Sequence, residues 1–64
     1  MNWKNGKFQS YHIAQLFKTA LEEAGIRTSD IFQVGDGRYY VPYMPIGFTQ
    51  ERQASMLLEE YIFL

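Results

Sequence analysis

Ile31-Phe32-Gln33-Val34-Gly35-Asp36-Gly37-Arg38-Tyr39-Tyr40-Val41-Pro42-Tyr43 is the stretch on which the fold turns. Two runs rich in β-branched and aromatic residues flank a Gly-Asp-Gly tripeptide, the pattern of two antiparallel strands joined tightly. Asp-Gly suits a two-residue type I′ turn, which needs positive φ at both central positions. A turn on Asp36-Gly37 sets Val34 opposite Tyr39 and Phe32 opposite Val41. One face then collects Phe32, Val34, Tyr39, Val41 and Tyr43; the other carries Ile31, Gln33, Arg38, Tyr40 and Pro42. A three-residue loop shifts the pairing by one residue, which sends one strand's side chains to the opposite face and mixes both. The two-residue register gives the cleaner amphipathic sheet and is the expectation. Pro42 has no N–H for a ladder, so its strand is expected to lie at an edge there, or to end.

Helical patterns stand on both sides of this hairpin. Upstream, Ile13, Phe17, Ala20, Leu21 and Ala24 form one apolar stripe at helical spacing, with Gln15, Lys18, Glu22 and Glu23 away from it. Ser10 is placed to accept a hydrogen bond from an orphan N–H at the helix start, and Gly25 to end the helix in the left-handed region. A helix over residues 10–24 follows. Downstream, Met44-Pro45-Ile46-Gly47 has the character of a loop. Thr49 is the expected cap of a second helix, with Glu51 favoured by the dipole in its first turn. Ala54, Leu57, Leu58, Tyr61 and Ile62 make its apolar stripe, and residues 61–64 close the chain as a last helical turn or a short extended segment. Near the start, Asn5-Gly6 is a tight-turn signal. Trp3 and Phe8 either pair across it in a mini-hairpin or flank a plain turn into the first helix. The fold class expected is α+β: helix, β-hairpin, helix, with a short aromatic turn in front and the helices on one face of a small antiparallel sheet. Residues 1–64 form a single small domain.

Composition narrows the function classes. At 64 residues the chain is near the lower limit for folding alone. Its 47% hydrophobic content and net charge of −1 argue against disorder. Five Phe, five Tyr and one Trp supply large buried areas per residue, which suits a small core without staples. The absence of cysteine excludes disulfides and thiolate metal sites. The first residues lack the apolar segment of a signal peptide, and no run approaches the ~18 apolar residues of a membrane span, so a cytoplasmic protein without a membrane role is expected.

Residues that carry chemistry are few, and no catalytic, cofactor-binding or metal-ligating site is expected. His12 is the sole histidine, and a lone imidazole makes neither a zinc site nor a triad. Glu22-Glu23 and Glu59-Glu60 are adjacent pairs, which on a helix point about 100° apart and do not converge on one proton or one metal. Gly35-Asp36-Gly37 joins strands rather than opening a helix, so no helix N-terminus is there to receive a phosphate. A chain this short is also expected to lack room for a ligand pocket beside its core.

The excess of apolar and aromatic residues points instead to contact. Met56-Leu57-Leu58 and Tyr61-Ile62-Phe63-Leu64 make the last helix apolar beyond one stripe, so Phe63 and Leu64 are expected to meet a partner. Glu59 and Glu60 sit where a helix end disfavours negative charge, and a basic patch on another chain would offset that. On the hairpin's outer face, Arg38, Tyr40 and Ile31 are expected to form one exposed strip of the kind found at binding hot spots. A protein-binding inhibitor, regulator or adaptor is therefore the expected function. In size and composition the chain resembles the small accessory proteins of phages and mobile elements, including anti-CRISPR-type inhibitors. The alternatives are a nucleic-acid-binding regulator that stacks bases on Tyr39, Tyr40 and Tyr43 with Arg38 and Lys7 on phosphates, and a subunit of a homo-oligomer such as a homodimer. The scattered cations Lys4, Lys7, Lys18, Arg27, Arg38 and Arg52 make nucleic acid the weaker expectation.

Overall fold

A computed structural model describes residues 2–64. The elements are β1 (Lys4–Phe8), α1 (Tyr11–Glu23), β2 (Arg27–Thr28), β3 (Phe32–Gln33), β4 (Tyr39–Met44) and α2 (Gly47–Ile62). The class is α+β, with both helices packed on one face of an antiparallel sheet. Every ladder runs to β4. β1 takes one of its edges, while β2 and β3 follow one another along the other.

α1 forms as its sequence signals require. The Ser10 hydroxyl accepts the Ile13 N–H at 3.4 Å. At the far end Gly25 adopts φ +77°, the Ile26 N–H reaches the Leu21 carbonyl at 2.9 Å, and the Gly25 N–H reaches that of Glu22 at 3.0 Å. That is a Schellman cap, and its usual hydrophobic contact is present as Ile26 and Leu21 are both buried. The expected stripe is kept, with Ala14 added to it and with Ile13 and Ala24 packed at its margin. Ala14, Phe17 and Leu21 are buried, whereas Ile13 is only partly so.

Asn5-Gly6 is not a turn. Both residues lie inside β1, which pairs with β4 from Lys4↔Tyr43 to Phe8↔Tyr39, and Trp3 does not face Phe8. The glycine is needed there for closeness rather than for φ. A Cβ at Gly6 would stand 2.8 Å from Cε2 of Phe17 and 3.0 Å from Cε2 of Phe8. The Phe17 ring therefore lies on bare strand backbone, with Phe8 at 5.1 Å, Tyr43 at 5.6 Å and Tyr61 at 6.3 Å between ring centroids. Full burial of such a ring is worth about 1.5–3 kcal/mol.

The hairpin adopts the other register. Phe32 opposes Tyr40 and Gln33 opposes Tyr39, one residue off the expected pairing. The Gly37 N–H donates to the Val34 carbonyl at 2.9 Å, neither Gly35 nor Asp36 has positive φ, and Gly37 sits at φ +81°. This is a β-turn followed by a left-handed glycine, the three-residue connection. Two side chains favour it: Asp36 Oδ1 accepts the Arg38 N–H at 2.9 Å, and Gln33 Nε2 donates to the Gly37 carbonyl at 3.0 Å. Tyr39, Val41 and Tyr43 face the helices as expected, but Phe32 and Val34 turn outward and Ile31 packs against the core.

Pro42 is in the central strand, not at an edge. On an antiparallel strand a residue's N–H and C=O point to the same side. The Pro42 carbonyl accepts from the Ser29 N–H at 3.0 Å, so its missing N–H faces the break between β2 and β3, where no ladder bond is lost. α2 also starts earlier than expected, at Gly47 behind Ile46, so Thr49 lies within the helix and caps nothing. Gln50 supplies the cap: its Oε1 accepts the Ile46 N–H at 2.9 Å while its Nε2 donates to the Gly25 carbonyl at 3.1 Å. One amide thus ties the start of α2 to the end of α1.

Gly6→Ala is expected to destabilise the chain by roughly 1–3 kcal/mol in urea unfolding, because overpacking outweighs the ~0.4–1 kcal/mol gained from a stiffer unfolded chain. The loss should shrink in a Phe17→Leu background, and a variant as stable as its parent would remove this contact as a determinant of the fold. Leu21→Ala should cost about 2–5 kcal/mol, and Leu57→Ala clearly less, since Leu21 is fully enclosed and Leu57 only half so.

Candidate functional site

The sheet's open face is built by register. Lys7, Tyr40 and Phe32 come from three strands and stand side by side at paired positions. The Phe32 and Tyr40 rings stack at 5.4 Å with 25° between their planes, and Lys7 Nζ lies over the Tyr40 ring at 5.7 Å. The Tyr40 hydroxyl donates to Asp36 Oδ2 at 3.4 Å, which anchors the ring to the turn. Farther along, Asn5 pairs with Pro42 and Arg27 with Met44 on the same face. Thr28, the next residue, points to the helix side, where its hydroxyl donates to Glu22 Oε2 at 3.0 Å.

The other rings proposed for stacking face inward. Tyr39 packs edge-on against Tyr11 of α1 at 5.5 Å, and Tyr43 is buried beneath Phe17. Burial holds the Tyr43 phenol above its ordinary value near 10, because the charged form is desolvated.

The second surface belongs to α2. Phe48, Met56 and Phe63 are 77%, 64% and 83% exposed. At about 100° per residue they fall within an arc of roughly 80°, with Arg52 and Glu59 between them. That arc lies opposite Ala54, Leu57, Leu58 and Tyr61, which pack on the core. α2 therefore has two apolar stripes, one inward and one outward.

Between the two surfaces a cleft of about 580 Å³ opens, walled by Lys7, Arg38, Ile13, Tyr61, Ile62 and Leu64. A notch of this size was not expected of so short a chain; it lies where elements meet at the surface rather than in the core.

The seven expected contact residues thus divide. Tyr40 stands on the open sheet face, while Arg38, just ahead of β4, borders the cleft that Leu64 also lines. Ile31 leaves the set, because the register puts it on the helix side against the core. Glu59 and Phe63 join the outward stripe of α2, with the exposed Glu60 at its margin. Phe32, Arg27, Phe48 and Met56 were not among them. Phe48 and Met56 were legible as apolar residues outside the core stripe; Phe32 and Arg27 depend on register.

His12 is exposed, and among the described residues no group of three His, Asp or Glu gathers to hold a metal ion. Comparison with protein-family models, characterised proteins and solved structures finds no match.

Tyr43 contributes stability that is intact below the ordinary phenol value and is lost as pH rises through its raised folded value. Urea midpoints measured upward from pH ~9 should fall, and Tyr43→Phe should flatten that fall. An unchanged alkaline loss in the variant would mean that another group drives it.

Proposed function

We propose that this chain is a non-enzymatic protein-binding module that acts by stoichiometric contact, as an inhibitor, regulator or adaptor of a larger assembly. The observation that carries this reading is the outward stripe of α2. Phe48, Met56 and Phe63 are mostly exposed and outside the core cluster, yet they align on one helix face. Apolar anchors repeated along one face are how a helix lies in a groove on another protein. Arg52 and Glu59 between the anchors offer one charge of each sign, which fixes orientation more than it adds affinity. Ordered apolar surface of this kind on a soluble domain marks an interaction site.

Photo-crosslinking in the protein's source tests this. A crosslinking residue in place of the exposed Arg52, between the anchors, should trap a discrete protein partner, and one at the exposed Thr19 of α1 should not. Phe48→Ser/Met56→Ser should abolish the adduct while circular dichroism and melting stay near the parent's, because neither side chain is in the core. An adduct that survives the double substitution, or that forms equally from position 19, overturns the assignment. Light scattering on the same samples identifies a second copy of the chain as the partner if the trapped species is twice the chain's mass.

A further inference from the structure

The cations that look scattered along the chain are sorted by the fold. α1 and α2 carry five of the seven acids (Glu22, Glu23, Glu51, Glu59 and Glu60) against only Lys18 and Arg52. The remainder carries Lys4, Lys7, Arg27 and Arg38 against only Asp30 and Asp36. The helix layer is thus acidic and the sheet layer basic, although the whole chain is near neutral.

The ladder positions of the open face sharpen this. They are Asn5, Lys7, Arg27, Phe32, Tyr40, Pro42 and Met44, the last of them buried, and no acid is among them. Arg38, two residues ahead of Tyr40, flanks the same end as Lys7, and both border the cleft. Arg27 lies opposite Met44 at the other end, about 13 Å along the strand from Tyr40 at ~3.3 Å per residue. Stacked rings lie between the cations, with Phe32 exposed.

From this geometry we infer that the open sheet face binds single-stranded nucleic acid, continuing the Phe32–Tyr40 stack with a base on the free face of Phe32 and holding phosphates with Lys7, Arg38 and Arg27. An antiparallel sheet with aromatic rings on its uncovered face is a stacking platform for about two or three bases. Stacking needs only the π-face of a base, so the contact is tolerant of sequence, and the cations supply the salt-dependent part. This surface is on the opposite side of the molecule from the helices, so the inference stands apart from the contact assigned to α2.

Fluorescence anisotropy with labelled oligothymidylate and oligouridylate of about ten nucleotides tests it. At least one strand should bind saturably at low salt, with log K falling against log salt at a slope of about −2, as three phosphate contacts on a single strand give. Phe32→Leu and Tyr40→Leu should each weaken binding about 5- to 150-fold. Lys7→Gln and Arg27→Gln should each reduce the slope by about 0.7, and Lys18→Gln on α1 should change neither quantity. Circular dichroism on every variant keeps loss of fold distinct from loss of contact, and Phe32, exposed and outside the core, is the substitution least able to disturb folding. The inference fails if neither strand binds at the lowest salt, as would happen were this face a protein contact. It fails equally if a duplex of the same length binds as tightly, if the ring variants bind like the parent, or if Lys18→Gln matches Lys7→Gln.

Discussion

The ring of Phe17 lies directly on the backbone of Gly6, and this contact sets the spacing between the helix layer and the sheet. No side chain intervenes, so α1 approaches β1 more closely than any other residue at position 6 would allow. Phe8, Tyr43 and Tyr61 then gather round the same ring from β1, β4 and α2. One aromatic side chain therefore links three of the other elements, which is how a 64-residue chain without disulfides closes a core. The high aromatic content thus has two fates. Some rings fill this centre, and others are left on the outside.

Which rings fall outside is decided at the turn. Asp36 and Gln33 hold a three-residue connection, and that one extra residue puts Phe32 beside Tyr40 rather than over the core. Ile31 takes the vacated inner position. The open sheet face owes its stacked pair to this shift, just as the outward stripe of α2 owes its exposure to a helix with apolar residues on two sides. Both surfaces arise from small local choices that leave the core intact.

The helices were legible in the sequence because their signals are local. Ser10, Gly25 and the spacing of Phe17 and Leu21 fix α1 without reference to anything distant. The α+β class followed from the same local patterns. What did not follow were the long-range relations. Gly6 carries the mark of a turn glycine, and only the approach of Phe17 reveals another use. Pro42 signals an edge, and only the gap between β2 and β3 lets it sit in the middle of a sheet. Arg27-Thr28 is too short to show as a strand before β4 is there to pair with it. The candidate surfaces divide in the same way: the excess apolar residues of α2 show in the sequence, whereas the cluster of Lys7, Tyr40 and Phe32 exists only once three strands are in register.

The pairing of β1 with β4 joins residues 31 to 39 positions apart in the chain. Such pairs close large loops, whose entropy must be met before any contact rewards it, and this slows folding relative to a helical bundle of equal size. During synthesis β1 has no partner until most of the chain has left the ribosome. α1 with its Schellman end can form early, but the layer beneath it must wait for Tyr39–Met44 to arrive. The last strand made is the one on which all the others assemble, so the sheet forms late and as a unit.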